Sequence, residues 1–575
     1  MTRDGRPVDP AVLAALTHAL AHRGPDGCST HRAGAVGLVQ TRLAIIDLRT
    51  GNQPFREKES GTALVANGEI YNYLELRAKL HDVMFASHSD CEPPLHLYRR
   101  HGLFFTDYLR GMYALALHDP SGQRERLVLA RDPFGIKPLY YAETVKGFFF
   151  ASEAQALVAA GAVQPSIDRR RALELLQLQF TTGFILADIR RVAPGEILVV
   201  EAGRVVERHH HPALSSAAPL PPDPLATLDA VLHEAVALHQ RSDVPYGLFL
   251  SGGVDSSVLL AMMTRLNERP VLAFTAYFPD TDARDERAYA QAVATAAGAE
   301  VVAVPFTEID FWTLLPAVVT AMDDPAADYA ALPTYKLAGV ARQAVKVILS
   351  GEGGDEVFAG YGRYRGAMRP WPFTRSMRHK GLLDGLDLLR RNPTGWRDGI
   401  AAAEQTACHG TRLQRAQAMD CTDWLSHDLL GKLDRCLMAH GIEGRVPFLD
   451  PILARFAHGL PDELKVRRGV GKWLLRRWLA DALPAARPFA PKRGFTVPVG
   501  AWIARRGRLL GPLVAYTPAI AELCRPAAVE TLFADADRAP RIALAAWVLL
   551  FYALWVRRHV DGVRPGEDVL AMLEA

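Results

Sequence analysis

From Tyr246 to Ser257 the chain reads Tyr-Gly-Leu-Phe-Leu-Ser-Gly-Gly-Val-Asp-Ser-Ser, a short apolar strand that runs straight into a glycine turn and then an apolar helix from Val258 to Met263. No other stretch limits the fold as tightly, because a strand, a Gly-Gly turn and a helix in succession begin an α/β layer. Gly252 and Gly253 carry no side chain to hold the backbone off an anion. The N–H groups after Leu250 and Ser251 can therefore form a nest at the helix N-terminus suited to a pyrophosphate. Asp255 and Ser256 complete the turn, with Asp255 placed to carry Mg2+. An ordinary Gly-rich turn is the plain alternative, but six specified positions after a strand are more restrictive than a lone Gly-x-Gly. The turn is neither Gly-x-x-x-x-Gly-Lys-Ser/Thr nor Gly-x-Gly-x-x-Gly, which argues against a Walker loop and a dinucleotide site.

The Ser251 to Ser256 pattern resembles the PP-loop of ATP pyrophosphatases, which split ATP between its α and β phosphates and leave AMP on a substrate oxygen. The chemistry this implies is carboxylate activation. About a hundred residues on, the apolar run Val345-Lys-Val-Ile-Leu-Ser350 delivers Gly351-Glu-Gly-Gly-Asp-Glu356. Ligands of an open α/β sheet sit beyond the carboxyl ends of its strands, so Ser350, Gly351 and this acidic turn are expected to face the first turn. Asp255 and Asp355 would share Mg2+ on the pyrophosphate, and Glu352 would take a proton from an attacking amine. A solvated acidic turn is the alternative for this cluster alone.

These segments, with Asp434-Arg-Cys-Leu-Met-Ala-His-Gly-Ile-Glu-Gly-Arg-Val-Pro-Phe-Leu-Asp450, make nearly the whole chain similar to glutamine-dependent asparagine synthetases. Upstream, His22-Arg-Gly-Pro-Asp-Gly27, Arg42-Leu-Ala-Ile-Ile-Asp47, Asn67-Gly-Glu-Ile-Tyr-Asn72, Ser89-Asp-Cys-Glu92 and Arg131-Asp-Pro-Phe-Gly-Ile-Lys-Pro-Leu-Tyr140 recur in that family's glutaminase half. The resemblance implies an N-terminal-nucleophile (Ntn) hydrolase sandwich of αββα type, then a doubly wound parallel α/β PP-loop domain with a helical C-terminal part. It also implies that Arg42 pairs with the glutamine α-carboxylate, that Asp90 and Glu69 hold its ammonium group, and that Asn67 with the Gly68 N–H forms an oxyanion hole. Lys472 matches a Lys that reaches the phosphates or the acyl carbon; a helix-surface Lys is the alternative. Asp285-Glu286 and Asp323-Asp324 stand at acidic positions of the family, Val446 to Asp450 is expected in the acceptor pocket wall, and Gly444 replaces a common Val.

One part of the pattern departs. The family's glutaminase begins with Cys, whose thiol attacks the amide while the α-amine acts as base. This chain begins Met1-Thr-Arg-Asp-Gly-Arg-Pro-Val-Asp-Pro10, its first Cys is Cys28, and the family's opening apolar strand is not seen. A start at an internal Met, a glutaminase without function, and Thr2 as a substitute nucleophile are the three readings of this; the polar Arg3-Asp4-Gly5 disfavours the last.

The remaining sequence suits a large multi-domain enzyme. The 575 residues exceed a single core, and a net charge of +3 gives no clustered basic face for nucleic acid. The basic run Arg467, Arg468, Lys472, Arg476, Arg477, Arg487, Lys492, Arg493 suits phosphate binding and solvated helix faces. Cysteines at 28, 91, 408, 421, 436 and 524 have no Cys-x-x-Cys spacing, so no zinc site is expected. The apolar run Ile542 to Val556 is short of the ~20 residues that span a bilayer and reads as a buried helix. With a polar N-terminus, a cytoplasmic enzyme with no membrane partner is expected. Asp9-Pro10 should open a helix to Ala21, strands are expected over 35–39, 62–67, 112–117, 126–130 and 148–152, and Leu214 to Pro224 is a Pro-rich joint. The division expected is 1–205 glutaminase, 206–226 linker and 227–575 synthetase.

The expected reaction uses Mg·ATP and aspartate to form an acyl-adenylate, which ammonia from glutamine, or free ammonia, then attacks. A homodimer is the family's default. Relatives acting on other carboxylates, closing a β-lactam or amidating a peptide or saccharide, are the main alternative. A PP-loop RNA-modifying enzyme and a non-catalytic binding protein are more distant ones.

Overall fold

The computed structural model describes residues 1–214, 220–279, 287–370, 373, 376–391, 394–407, 409–490, 497–566 and 568–575. Asp285, Glu286, Cys408, Lys492, Arg493 and the middle of the Pro-rich joint lie outside the described residues.

The first half is built on short strands, the central ones apolar and buried on both faces. Its strands are β1 (Gly27–Ala33), β2 (Val36–Arg42), β3 (Phe55–Arg56), β4 (Ala63–Ile70), β5 (Gly111–Asp119), β6 (Arg126–Arg131), β7 (Tyr140–Glu143), β8 (Phe148–Ala151), β9 (Arg190–Arg191), β10 (Glu196–Glu201) and β11 (Arg204–His210). Six of them form one sheet in the order β11-β10-β6-β5-β4-β3, antiparallel throughout. The hairpin β1-β2 and the sheet β8-β7-β9 make the facing layer. Along β6, Leu127 and Leu129 point into the space between layers, where they meet Val36, Leu38, Tyr141 and Phe148. Val128 and Ala130 point the other way, against Leu95 and Tyr98 of the helix Pro93–His101. Helices Pro10–Leu20 and Ala154–Ala159 cover the outside of the second layer, which completes the αββα sandwich. Asp9 caps the first of these through the Ala11 N–H at 2.8 Å, with Pro10 at the first helical position. Among the described residues no strand precedes Gly27; the Met1 amine donates to Phe148 O at 2.8 Å and Thr2 bridges Gly147.

The second half is a parallel sheet of order β14-β13-β12-β15-β16, from β12 (Tyr246–Phe249), β13 (Leu272–Tyr277), β14 (Glu300–Pro305), β15 (Val347–Leu349) and β16 (Glu443–Arg445). The chain winds outward from β12 through β13 to β14, then returns to β15 on the other side of β12. The switch point therefore lies between β12 and β15, and the two Gly turns leave the carboxyl ends of these two strands. Helices dominate beyond β16. The helix Pro540–His559 has the length and apolarity of a membrane span, but Ala545 to Val556 are buried inside this half. Its Trp547 and Trp555 indole N–H groups donate to Ala327 O and Met322 O, both at 2.8 Å.

Buried ion pairs hold the halves together. Arg23 makes a fork onto Asp434 at 2.7 and 3.0 Å and also reaches Glu153 at 2.9 Å. Arg110 chelates Asp450, and Arg191 pairs with Asp324. Asp323 accepts the Gln155 N–H of the first half at 3.2 Å and is held by Arg435 Nε of its own half at 2.6 Å. Asp323 and Asp324, left without a firm role by the sequence, thus serve this interface.

Candidate functional site

The two turns meet as their motifs imply. Gly253 caps the helix Val254–Leu266 in extended conformation, which puts Asp255 in its first turn. Ser251 N and Oγ both lie 3.2 Å from Ser256 Oγ, closing the loop on itself, and Gly252 has φ +65°. Leu250 is buried and bonded through its N–H to Phe274 O at 2.9 Å. The second turn packs directly on the first. A Cβ on Gly351 would stand 2.9 Å from Asp255 Cβ, and one on Gly354 would stand 2.6 Å from Asp255 Oδ1. The glycines of both motifs thus permit close approach of the two turns.

Asp255 and Asp355 converge on one cationic point, the ammonium of Lys472. It contacts Asp255 Oδ2 and stands 2.6 Å from Asp355 Oδ1. Lys472 is 4% exposed, so it is no surface lysine. It has φ +56° at the start of the helix Trp473–Ala482, and its N–H donates to Phe358 O at 3.1 Å. A side chain on Gly360 would collide with both Lys472 and Asp355. Burial disfavours its charge, but Asp255 and Asp355 overcome that and hold its pKa above the ordinary value. Two hard carboxylate oxygens on facing turns fit Mg2+, which takes one or two carboxylates and completes its octahedron with phosphate and water. Among the described residues no cluster of three or more His, Cys, Asp or Glu forms a cage for a metal.

The three carboxylates of the second turn separate into different settings. Glu352 faces Lys432, whose Nζ is 3.7 Å from it and 2.8 Å from Asp328. Burial raises the Glu352 carboxyl, as do Asp328, Asp355 and Asp255, while Lys432 opposes them. A quarter of the side chain stays open to solvent, which limits the rise. Glu356 turns inward, accepts from Tyr361 OH at 2.7 Å and is pushed up to about 8 by burial and Asp355. Lys432 and Asp328 were missed in the sequence, since neither lies in a glycine turn or a recognised motif.

In the first half, Arg42, Asn67, Gly68, Glu69 and Asp90 line one cavity of about 520 Å3. Gly68 has φ +148°, and a Cβ there would stand 2.0 Å from Met112 O, so only glycine fits beside Asn67. Asn67 donates to Ser152 Oγ at 3.2 Å. Arg42 reaches Asn52 Oδ1 at 2.9 Å and Asp47 O at 2.5 Å. Burial raises the carboxyls of Glu69 and Asp90; the Ile70 N–H at 2.7 Å partly offsets this for Asp90. Cys91 lines the same cavity, with its thiol 3.3 Å from Gly68 O and Asp90 Oδ2. Burial and Asp90 push that thiol well above its usual range, which makes it a poor nucleophile. Thr2 also lines the cavity, its hydroxyl donating to Arg6 O at 2.6 Å.

Residues 227–557 match the asparagine synthase family, and residues 3–211 match the glutamine amidotransferase domain. This chain belongs to the asparagine synthase family. Within it, the Bacillus subtilis asparagine synthetase [glutamine-hydrolyzing] 1 is 32% identical over 86% of this chain and 84% of its own. A Mycobacterium tuberculosis relative of the same family is 36% identical over 87% and 86%. Amidase chry2 of Gibberella zeae is 28% identical over 89% and 87%. The chain is thus a carbon–nitrogen ligase of the glutamine-hydrolysing type.

Gly444 and the segment Val446 to Asp450 have clear packing roles. Gly444 is buried in β16, where a Cβ would stand 3.1–3.2 Å from Leu433 and Leu437. A valine there would press on the core. In Val446 to Asp450, Leu449 packs on Gly353 beneath the acidic turn, while Asp450 caps the helix Pro451–Gly459 and binds Arg110. This segment supports the turn and the interface between the halves.

Proposed function

We propose that the chain is an ATP-dependent asparagine synthetase that activates the β-carboxylate of aspartate as an acyl-adenylate, releases pyrophosphate and transfers ammonia to the acyl carbon. The observation that carries this reading is the convergence of Asp255, Asp355 and Lys472 between the two Gly turns, with Glu352 on the same turn as Asp355. The Ser251 to Ser256 nest would hold the pyrophosphate, together with Ser350 and Gly351. Asp255 and Asp355 would hold Mg2+, which when bound would neutralise charge on the phosphates. Lys472, kept charged by its two carboxylates, would stabilise the charge that builds on the acyl oxygen or the leaving phosphate. Glu352, its carboxyl raised by burial, suits a base that accepts a proton from incoming ammonia.

The 520 Å3 cavity would take glutamine, its α-carboxylate on Arg42, its ammonium on Glu69 and Asp90, and its amide oxygen on Asn67 and the Gly68 N–H. We divide the chain into a glutaminase half, 1–205, a linker, 206–226, and a synthetase half, 227–575. A soluble cytoplasmic enzyme acting on small molecules, as a homodimer, accords with this reading. The likeness to a protein named an amidase favours a second reading, the same chemistry on another carboxylate. Incubation with Mg·ATP, aspartate and either ammonium or glutamine, read for AMP and asparagine by mass spectrometry, tests both. Asparagine supports the first, and AMP formed only with another carboxylate supports the second.

A further inference from the structure

We infer that Arg445 is a positioning residue through which occupancy of the amino-acid cavity and the state of the nucleotide turn influence each other. The inference rests on the reading of that cavity as a glutamine pocket.

Arg445 belongs to both sites at once. It ends β16, its side chain is fully buried, and its carbonyl accepts the Ser350 N–H at 2.8 Å. Ser350 leads directly into Gly351-Glu352, so the turn carrying Glu352 and Asp355 hangs on that bond. The guanidinium points the other way, towards Glu69 and Tyr71 of the first half, while two of its nitrogens stay anchored in the second. Nε donates to Glu443 at 2.9 Å, and Nη1 donates to His239 O at 2.9 Å and Arg241 O at 2.6 Å. Nη2 stands 3.3 Å from Glu69 Oε2, yet neither atom has a hydrogen bond among the described residues. The one loose arm of a tightly held guanidinium therefore faces the carboxylate assigned to the ligand's ammonium.

Glu69 is 4% exposed, and burial holds its carboxyl well above the usual range, opposed by Arg445. An arriving ammonium favours the carboxylate and draws it towards the cavity. Arg445 must then either follow or lose its carboxylate partner on that side, where the Tyr71 ring is its other neighbour. Its Cα is fixed in register opposite Leu349, so a shift of the guanidinium loads the strand pair that carries the turn. Coupling of this kind is reciprocal, since a ligand that shifts the turn must change affinity at the cavity by the same factor.

The test uses the full chain and two ligands that are not consumed. The Kd of L-glutamate, which carries the same α-ammonium and α-carboxylate as glutamine, is measured calorimetrically with and without saturating Mg·α,β-methylene-ATP. The wild-type ratio is expected to differ from one by about 5-fold or more, in the range usual for coupled sites. Arg445→Lys should keep part of that ratio, and Arg445→Gln should bring it to one with both ligands still bound. If Arg445→Gln does not fold, Glu443→Gln, which removes the charge that Nε pairs with and so weakens its hold, should lower the ratio. A wild-type ratio of one with both ligands bound, a wild-type ratio retained in Arg445→Gln, or an unchanged ratio in Glu443→Gln overturns the inference. No glutamate binding in either state instead overturns the pocket reading beneath it.

Discussion

Asp255→Asn separates the structural from the chemical work of the nucleotide turns. The substitution keeps volume and leaves an amide oxygen for the Lys472 ammonium to donate to, while Asp355 still holds that ammonium at 2.6 Å. Hydrogen bonds to charged groups contribute ~1.5–3 kcal/mol, and the Lys472 ammonium keeps its charge, so weakening the bond from the top to the bottom of that range costs about 1.5 kcal/mol at most. At ~2 °C per kcal/mol in a chain above 250 residues, melting falls by about 3 °C at most. The chemical loss is far larger, because one of two carboxylates aimed at the cation is gone. Removal of a preorganised electrostatic group costs ~10²–10³ in rate. Pyrophosphate release from Mg·ATP with saturating acceptor, measured beside a melting curve on the same preparation, gives both numbers. Release within about threefold of wild type, under 1 kcal/mol of barrier, would refute the metal assignment. A collapse of melting by much more than a few degrees would show that the turn is mainly structural.

Glu352→Gln should leave pyrophosphate release running while amide formation falls by ~10²–10⁴; equal loss of both would remove Glu352 from the base role. Gly68→Ala drives a Cβ to 2.0 Å from Met112 O and should abolish glutamate binding while ammonium-dependent synthesis continues, and intact glutamate affinity contradicts the pocket. Glu356 is pushed up to about 8 from an ordinary value of 4.5, so the folded chain holds a proton there that the unfolded chain has released. Its contribution is therefore lost as pH rises from about 4.5 to about 8, by roughly 3–5 kcal/mol at most. Urea midpoints at pH 5.5 and 8 should differ less in Glu356→Gln than in wild type, and an equal difference refutes the assignment. Arg23→Met leaves Asp434 with Arg435 and Lys137 and Glu153 with His22, so it should cost less than the ~3–5 kcal/mol of an unpaired buried charge, seen in melting and in faster proteolysis between the halves.

What was legible in the sequence was local. The Ser251 to Ser256 nest and the Gly351 to Glu356 turn are short because an anion-binding turn needs adjacent N–H groups, and each follows an apolar strand. The strands over 62–67, 112–117 and 126–130 are near-continuous apolar runs, because both faces of their sheet are covered, and they lie inside β4, β5 and β6, allowing a residue at either end. By contrast β11, Arg-Val-Val-Glu-Arg-His-His, is an exposed edge strand with no apolar face to betray it. Lys432 with Glu352, Arg23 with Asp434 and Arg445 with Glu69 are pairings between distant segments, and such pairs leave no period in a sequence. The interface role of Asp323 and Asp324 stayed hidden for the same reason.

The account turns on where ATP is cut and which oxygen takes the AMP. Aspartate carrying 18O in its β-carboxylate, incubated with Mg·ATP and ammonium, should yield AMP with one 18O in its phosphate and unlabelled pyrophosphate. ADP with labelled inorganic phosphate, or AMP without label, contradicts it.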